Sequence, residues 1–397
     1  MFVEFKIVIH KSKIIKSKIT LFSSEKYLND ALDKRRNNGS FRTLKVLHDM
    51  VDFCSNDYLG FSTTGELHAR ILDFNQKQPR QIVEGSTGSR LISGNSAVTE
   101  SLEEFIASYH DAEAALIFNS GYDANVGLFS SVPKRGDTIF YDELVHASIR
   151  DGIRLSYAKA YSFRHNDVEH LKELFKLANG NVYVAVESVY SMDGDKAPII
   201  EIAAFCDEKN ANLIVDEAHA TGVFGPQGKG CVAENILEKK VFARVHTYGK
   251  AMGTHGAVVA GSKILKDYLI NFARSFIYTT ALPLHSLIAI RCAYALLSES
   301  DEANQSLLKN IKFFRKIVYE NEKINIIKSS SPIQSIIIPG NEKVVAVAKA
   351  IQVKGFDVRP ILSPTVTAGK ERLRICIHSF NNEEEIKTLT EIIEKFV

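Results

Sequence analysis

Short apolar runs, separated by helical or polar stretches, recur through the middle of the chain. The runs are continuously apolar rather than alternating, which is typical of strands buried on both faces of a parallel sheet. Just before the first run, residues 102–109 carry apolar side chains at i, i+3, i+4 and i+7, the spacing of one helix face. We therefore predict an α/β fold with a large, mostly parallel central sheet flanked by helices. The predicted strands are residues 114–118, 138–141, 182–186, 212–215, 245–248 and 257–260.

A polar stretch at residues 298–306 marks a change of pattern towards the C-terminus. Beyond it, strand and helix patterns of a different order predict a smaller α+β domain. Its predicted strands are residues 335–339, 356–361 and 372–379, and its predicted helices are residues 344–355 and 383–396. The predicted division of the chain is a basic extension (1–22), an N-terminal arm (23–60), a large domain (61–296) and a small C-terminal domain (297–397).

The first twenty residues contain five lysines and one acid. Their alternation at residues 3–9 predicts a short strand. They lack the apolar core and small-residue cleavage site of a secretory signal. We therefore expect a dispensable basic extension, or translation assigned from an upstream start codon.

Composition is that of an ordinary globular protein. Of the 397 residues, 45% are hydrophobic and 24% are charged, with a formal net charge of +2. The lack of basic excess argues against a general nucleic-acid binder, and the lack of an 18-residue apolar stretch predicts no membrane span. The five cysteines form no CxxC pair, so we expect reduced thiols in a cytoplasmic protein, without a disulfide framework or a metal site.

Chemically capable side chains follow several of the predicted strands. In open α/β sheets, ligands bind beyond the carboxyl ends of the strands. The first strand is followed by a glycine turn at residues 119–125, where a helix start would aim backbone N–H groups at a phosphate. Asp216 and His219 follow the fourth strand, and Lys250 follows the fifth.

Together these residue types fit pyridoxal phosphate. The cofactor's aldehyde needs an amine to form a Schiff base, and Lys250 offers one. Its ring nitrogen needs an acid to remain protonated, and Asp216 offers one. The turn at 119–125 would cradle the phosphate, and His146 would lie against the ring.

Residues 216–219 also spell Asp-Glu-Ala-His, a signature of helicase-type NTPases. That interpretation requires a GxxxxGK[ST] segment upstream, and the chain has none. An NTPase therefore remains only a remote alternative.

More specific patterns extend over most of the chain. They occupy residues 55–60 (SNDYLG), 85–94, 118–125 (FNSGYDAN), 165–168 (HNDV), 191–198 (SMDGDKAP), 215–230, 246–253 (HTYGKAMG), 272–283 and 363–375. With these segments the sequence resembles the α-oxoamine synthases from about residue 24 to residue 395. The resemblance implies a fold-type-I pyridoxal phosphate enzyme. The HND, SMDGD and PTV segments favour the branch that condenses L-alanine with a pimeloyl thioester.

The resemblance implies roles for individual residues. Lys250 would bind the cofactor covalently and later move the substrate α-proton, while Asp216 would pair with the ring nitrogen. His219 would contact the phenolic oxygen of the ring, and His146 would stack on the ring. The other implied cofactor contacts are Gly121, Tyr122, Ser191 and Thr247, with Thr280 reaching the phosphate of the partner subunit across a homodimer interface. The implied substrate contacts are Arg42, Asn56, His146, Thr365 and Arg374.

The residues around Arg374 support its assignment independently. In RLRICIH, apolar residues 373, 375 and 377 share one strand face, and Arg372 and Arg374 share the other. A guanidinium on that face can bind an amino-acid carboxylate through two hydrogen bonds. We expect this of Arg374, and a surface salt bridge of Arg372.

The implied reaction is a decarboxylative condensation of L-alanine with a pimeloyl thioester, carried by coenzyme A or by a carrier protein. The same motifs also fit glycine with acetyl-CoA, or serine with a long-chain acyl-CoA. A non-catalytic regulatory homologue is a further alternative, against which the retention of Lys250, Asp216, His146 and His219 argues.

Overall fold

The computed structural model describes residues 22–44, 46, 49–77 and 85–396. The strand predicted at residues 3–9 lies outside these ranges. Strands are formed by Val51–Asp52 (β1), Ala114–Phe118 (β2), Thr138–Asp142 (β3), Lys159–Phe163 (β4), Val182–Glu187 (β5), Asn212–Asp216 (β6), Ala243–Thr247 (β7), Ala257–Gly261 (β8), Ile333–Ile337 (β9), Phe356–Asp357 (β10), Arg359–Ile361 (β11) and Arg372–Cys376 (β12).

Helices surround these strands. They are Ser23–Asn37 (α1), Glu66–Gln76 (α2), Ala97–Tyr109 (α3), Gly121–Ser131 (α4), Ala147–Leu155 (α5), Val168–Leu174 (α6), Ile199–Glu208 (α7), Cys231–Glu234 (α8), Lys263–Phe272 (α9), Arg274–Ile277 (α10), Leu284–Glu299 (α11), Asp301–Tyr319 (α12), Asn341–Val353 (α13) and Glu383–Glu394 (α14). Among the described residues, no helix is both long and apolar enough to cross a membrane.

Seven strands form the central sheet, in the order β2-β8-β7-β6-β5-β3-β4. Strands β4, β3, β5, β6 and β7 are parallel to one another, whereas β8 is antiparallel to both β7 and β2. A short connection of nine residues, with no crossover helix, joins β7 to β8 and accounts for the reversal. The prediction of a large, mostly parallel sheet flanked by helices is confirmed.

The strands with continuous apolar runs could be predicted from the sequence, because strands that are buried on both faces carry apolar residues throughout. Every residue of β2, β5 and β7 is buried. Strand β4 was missed, because it lies at the edge of the sheet and most of its residues are exposed. Its sequence, KAYSF, therefore has no continuous apolar run.

Two smaller sheets lie in the C-terminal part. Strands β11, β12 and β9 form an antiparallel sheet, and β1 of the N-terminal arm pairs with β10. The strand predicted at 356–361 is therefore two short strands, each in a different sheet. The predicted boundary at 296/297 falls within α11. The division of the chain into four parts stays a prediction.

Candidate active site

A cavity of about 290 Å³ opens at the carboxyl ends of β5, β6 and β7, beside the start of α4. Eight of the predicted site residues line it: Asn56, Gly121, Tyr122, His146, Asp216, His219, Thr247 and Lys250. Eight unpredicted residues complete the lining: Ser120, Asn125, Ser148, Glu187, Ala218, Gly249, His255 and Gly256.

A chain of hydrogen bonds runs from Lys250 to Arg374. The Lys250 amine lies 2.9 Å from Nε2 of His219, and Nδ1 of the same ring lies 2.8 Å from the Tyr58 hydroxyl. That hydroxyl donates to Oδ1 of Asn56 (3.0 Å), which also accepts a hydrogen bond from Arg374 (2.9 Å). Because the hydroxyl proton points to Asn56, His219 must donate from Nδ1 and offer the lone pair of Nε2 to Lys250.

The surroundings lower the pKa of both groups at the start of this chain. Burial lowers the pKa of Lys250 to about 8, although the negative charge of Asp216 opposes this shift. Burial, with the positive charges of Lys250 and Arg374, holds the pKa of His219 well below its ordinary value. With this pKa, about a tenth of Lys250 is a free amine at pH 7, whereas an ordinary lysine with a pKa of about 10.4 is almost wholly charged. The free amine is the form that acts as nucleophile or base.

A second network orients Asp216 and His146. The Asn125 amide donates to Oδ2 of Asp216 (2.7 Å) and to the hydroxyl of Ser148 (3.0 Å). The other oxygen of Asp216 accepts from the backbone N–H of Ala218 (2.9 Å). Asp216 is thus fixed at the end of β6 with its carboxylate facing the cavity.

His146 is the residue that caps α5. Its Nδ1 accepts from the Ser148 backbone N–H (3.2 Å) and contacts the Ser148 hydroxyl (2.8 Å). With Nδ1 as an acceptor, the ring proton is on Nε2. Burial and the charge of Lys250 lower the pKa of His146, so the ring at the cavity is neutral.

Glu187 is the most informative residue that sequence reasoning missed. It ends β5, lies opposite Asp216 in the parallel register, and is 2% exposed. Burial and the charge of Asp216 raise the pKa of Glu187 to about 8. Its position directly after a predicted strand, one strand away from Asp216, is the signal that could have found it. Tyr58 and Asn125 lie inside recognised segments, but their contacts span the sequence and no local pattern reveals them.

The turn after β2 forms one end of the cavity. Helix α4 begins at Gly121, and the Ser120 hydroxyl caps it by accepting from the Asp123 backbone N–H (3.1 Å). A Cβ atom at Gly121 would lie 2.5 Å from Cγ2 of Thr247, so only glycine allows this close approach. The free N–H groups of the first helical turn can bind a phosphate here. Tyr122 also reaches the cavity, and its hydroxyl donates to Asp151 (2.7 Å).

Five predicted site residues do not line the cavity. Arg42 and Thr365 lie together, joined by a hydrogen bond of 3.0 Å. Thr280 is exposed, and its carbonyl accepts from Asn119 beside the turn (2.8 Å). The Ser191 carbonyl accepts from Nε of Arg374 (2.7 Å), which places both next to Asn56 at the cavity wall.

The salt bridge expected of Arg372 is present, but it is buried and does not lie at the surface. Arg372 does pair with Asp193, but the arginine is 5% exposed. Both arginines of β12 are buried, because the loop that follows β5 covers the strand face that the alternating pattern leaves polar. A contact between segments so distant in sequence cannot be read from the strand alone.

Glu217, the second residue of the Asp-Glu-Ala-His segment, does not face the cavity. Its buried carboxylate accepts hydrogen bonds from Ser188 (2.6 Å) and from the backbone N–H groups of Cys231 (3.0 Å) and Val232 (2.7 Å). It therefore fixes the start of α8, and the NTPase interpretation has no support at this site.

The cavity fits pyridoxal phosphate. It contains one amine of lowered pKa, an orienting carboxylate one strand away and a glycine cradle at a helix start. The amine suits the cofactor's aldehyde, the carboxylate its ring nitrogen and the cradle its phosphate.

Comparisons with known proteins agree with this fit. The sequence model of the family "Aminotransferase class I and II" matches residues 48–393. The 8-amino-7-oxononanoate synthase of Emericella nidulans is 45% identical, over 92% of this chain and 94% of the relative. The structure of 8-amino-7-oxononanoate synthase from Francisella tularensis superposes with a TM-score of 0.74 at 30% identity, covering 87% of this chain and 97% of that chain. A serine palmitoyltransferase from S. paucimobilis has a TM-score of 0.85 at 24% identity, covering 95% and 98%, and so supports the fold alone.

Proposed function

The chain belongs to the α-oxoamine synthases, within the class I and II aminotransferase family, and from this membership we propose that it condenses L-alanine with a pimeloyl thioester. The enzyme is a pyridoxal phosphate-dependent acyltransferase. The single observation that carries the proposal is the Lys250 amine, whose pKa is lowered to about 8 and which lies in one cavity with His219 and Asp216.

Lys250 is proposed as the residue that holds the cofactor and moves the α-proton of the amino acid. A free amine is needed for both tasks, and the lowered pKa supplies it. The proton that Lys250 takes up lies within hydrogen-bonding distance of the His219 lone pair, 2.9 Å away. His219, held by Tyr58, thus keeps the Lys250 amine in place for both cofactor binding and proton transfer.

The other cofactor contacts are assigned by position in the cavity. Asp216, held by Asn125, would keep the ring nitrogen protonated, and the neutral His146 ring would lie against the cofactor ring. Gly121 and Tyr122 would bind the phosphate through their backbone N–H groups, with Thr247 beside them. Pyridoxal phosphate, when bound, supplies an electron sink for the negative charge that develops on the amino acid's α-carbon.

Arg374 is proposed to bind the α-carboxylate of the amino acid. Its guanidinium is buried and is held by Asn56 and the Ser191 carbonyl (2.9 and 2.7 Å), which point it towards the cavity wall. A carboxylate can replace the Asn56 contact, because a charged acceptor binds arginine more strongly than an amide oxygen does. Arg42 and Thr365, joined to each other, are proposed to contact the substrate further out.

The overall reaction balances without any oxidant or reductant. The α-carbon of alanine gives its proton to Lys250 and bonds to the carbonyl carbon of the thioester. The carbon–sulfur bond of the thioester breaks, and the thiolate that leaves takes up a proton from water. The bond to the α-carboxylate then breaks, CO₂ is released and the α-carbon takes up a proton. The product from pimeloyl thioester is 8-amino-7-oxononanoate, an intermediate of biotin biosynthesis, and the name of the 45% identical relative supports this choice.

A different amino acid and acyl group remain the second candidate. Glycine with acetyl-CoA, or serine with a long-chain acyl-CoA, would use the same cofactor and the same Lys250. The likeness to serine palmitoyltransferase, at 24% identity, supports the fold and does not select among these substrates. The complete set of Lys250, Asp216, His146 and His219 around one cavity argues against a non-catalytic homologue.

We further propose that the enzyme is a homodimer with shared active sites. Thr280 is exposed and lies outside its own cavity, yet it is tied to Asn119 beside the phosphate turn. That position supports a contact with the phosphate in the partner subunit. A cytoplasmic location is proposed as well, which the five unpaired cysteines support.

The amino acid is tested by titrating the cofactor-loaded protein with L-alanine, glycine and L-serine and following its visible absorption. We expect L-alanine to change the spectrum at the lowest concentration, and pimeloyl-CoA to change it again. A spectrum that responds only to glycine or serine would leave the cofactor site intact and overturn the alanine assignment. The Lys250→Ala variant, which lacks the amine, is the control and should not show the visible band of the wild type.

A further inference from the structure

His165 bridges two carboxylates on different parts of the fold. Its Nδ1 lies 3.0 and 3.1 Å from the two oxygens of Asp142, at the end of β3. Its Nε2 lies 2.7 Å from Oδ2 of Asp195, in the loop between β5 and α7. The neighbouring Asn166 contacts the same two carboxylates. Its backbone N–H donates to Asp142 (2.8 Å), and its side-chain amide donates to Asp195 (2.7 Å).

This geometry fixes the charge of His165. Each ring nitrogen faces a carboxylate oxygen. The Asn166 amide nitrogen also lies 3.2 Å from Nε2, but it has its own acceptors in Asp195 and the Lys196 carbonyl. Both ring nitrogens therefore donate, and a histidine that donates from both is the imidazolium. Burial by itself would lower the pKa of His165, but the hydrogen bonds and charges of Asp142 and Asp195 outweigh it and raise the pKa to about 9.

The same arrangement argues against a metal ion at this place. Ligand atoms of His165, Asp193 and Asp195 lie within 4.8 Å of one another. A histidine that binds a metal must be neutral and must offer a lone pair. Here both nitrogens of His165 are committed as donors, and Asp193 is paired with Arg372.

The loop that His165 binds through Asp195 also contains Ser191, whose carbonyl helps to orient Arg374. Residues 188–197 form a hairpin. The Tyr190 N–H donates to the Asp195 carbonyl (3.0 Å), and the Ala197 N–H donates to the Ser188 carbonyl (3.2 Å). From this hairpin, the Ser191 carbonyl accepts from Nε of Arg374 (2.7 Å).

The hairpin is also tied to the small sheet. Asp193 pairs with Arg372, and the Met192 carbonyl accepts from the Ser335 hydroxyl (2.6 Å). The hairpin of residues 188–197 therefore joins the central sheet, through His165, to strands β9 and β12.

We propose that His165 is a positioning residue: by bridging Asp142 to Asp195 it holds the 188–197 hairpin in the place that orients Arg374 for the amino-acid carboxylate. His165 itself touches neither the cavity nor Arg374, so it acts through the hairpin. The part of this inference that concerns the amino acid rests on the function proposed above, whereas the bridge and its charge do not.

The bridge depends on pH in a defined direction. A histidine whose pKa is raised by folding is fully charged below its ordinary value of about 6.5, and it loses that charge as the pH rises through its folded value, here about 9. The hairpin should therefore loosen on the alkaline side. The titratable groups around the His165 ring are Asp142, Asp193, Asp195 and Tyr190, with Glu143 accepting from the His165 backbone N–H. On the segment that carries His165, Arg164 pairs with Asp167, and His170 accepts from the Arg164 backbone N–H.

The test begins with His165→Gln in the full-length protein, compared with His170→Gln as the matched control. His170 lies five residues further on and contacts Arg164 rather than the hairpin. Hydrogen exchange of the Tyr190 and Gly194 amides is measured without substrate. We expect His165→Gln to lower their protection by about tenfold, because a charge-assisted hydrogen bond is lost, and His170→Gln to leave it unchanged.

A second measurement uses the wild type alone and needs no variant to fold. NMR titration of the His165 ring should give an apparent pKa near 9. With substrates, His165→Gln should raise the KM for L-alanine by about tenfold while kcat changes much less, as expected for a residue that acts on binding. The alkaline rise of KM in the wild type should be absent from the variant.

Three results would overturn the inference. Titration of His165 below pH 7, or unchanged exchange in His165→Gln, would show that the bridge does not hold the hairpin. Faster exchange with an unchanged KM would show that the hairpin does not position Arg374. Lack of turnover by the wild type with any amino acid and thioester would count against the proposed function instead, and the exchange and titration results would still decide the bridge.

Discussion

At the scale of single residues, the cavity contains close approaches that a slightly larger side chain would prevent. Gly121 is the clearest case, because a Cβ atom there would meet Thr247 at the end of the cavity where we propose the phosphate. A methyl group there would sit 2.5 Å from Cγ2 of Thr247, well inside van der Waals contact.

We predict that Gly121→Ala weakens binding of pyridoxal phosphate by at least about tenfold, since overpacking of this kind costs about 1–3 kcal/mol. The measurement is the dissociation constant of the cofactor from the apoprotein. Gly85→Ala is the control, because a Cβ at Gly85 has no neighbour within 4 Å and the variant should bind like the wild type. Equal binding by both variants would contradict the placement of the phosphate.

The two carboxyl groups at the ends of β5 and β6 should differ in their response to the same change. Asp216 accepts two hydrogen bonds in a fixed orientation, whereas burial and the charge of Asp216 raise the pKa of Glu187 to about 8. At neutral pH Glu187 is mostly protonated, so the amide of Glu187→Gln resembles the state already present.

We therefore expect Asp216→Asn to weaken cofactor binding by about tenfold or more, because a hydrogen bond to a charged group contributes about 1.5–3 kcal/mol. Glu187→Gln should weaken cofactor binding by less than about threefold. Cofactor titration at pH 7 measures both. If Glu187→Gln were the more damaging change, Glu187 would have to be ionised in the folded protein.

At the scale of elements, His146 has two functions that variants can separate. It caps α5 through Nδ1, and its ring faces the cavity. We predict that His146→Ala loses about 1 kcal/mol of stability, the usual value of a helix cap, whereas His146→Asn retains it because asparagine caps well.

Both His146 variants should lose the contact of the ring with the cofactor. Thermal unfolding of the apoproteins and cofactor titration are the two measurements. If His146→Asn were as unstable as His146→Ala, the capping hydrogen bond would not contribute to stability.

The elements also show what the sequence could and could not predict. The apolar runs predicted six of the seven strands of the central sheet, because strands buried on both faces leave a local pattern. Edge strand β4 left none. Lys250, Asp216 and His146 were predicted because they follow strand ends that meet at one edge of the sheet.

Other parts of the site depend on contacts between distant segments. Tyr58 meets His219 from 161 residues away, and Asn125 meets Asp216 from 91 residues away. The burial of Arg372 likewise depends on Asp193, which a strand pattern does not include. Local sequence therefore predicted several residues that line the cavity, whereas the hydrogen bonds that orient them could not be predicted in this way.

At the scale of the whole molecule, two neutral histidines are buried beside the central sheet. The rings of His110 and His246 stack with their centroids 3.9 Å apart, and both residues are almost fully buried. Burial, with the charges of Arg244 and Lys229, lowers the pKa of His110 to about 3, and burial holds the pKa of His246 well below its ordinary value.

We predict that stability falls as the pH drops below about 6.5, where the unfolded chain takes up protons that the folded protein excludes. Each unit of pH below that value costs up to about 1.4 kcal/mol per histidine, because the folded state stays neutral down to a much lower pH. Urea unfolding between pH 5 and 7.5 measures this slope, and His110→Gln should reduce it. A slope unchanged in that variant would show that His110 takes up a proton in the folded protein.

Product analysis tests the proposed reaction. The cofactor-loaded protein is supplied with pimeloyl-CoA and equal concentrations of L-alanine, glycine and L-serine, and the products are identified by mass spectrometry. We predict 8-amino-7-oxononanoate as the main product, with one CO₂ released per molecule of product. Lys250→Ala should form no product. A main product built from glycine or serine, or an equal yield from Lys250→Ala, would contradict it.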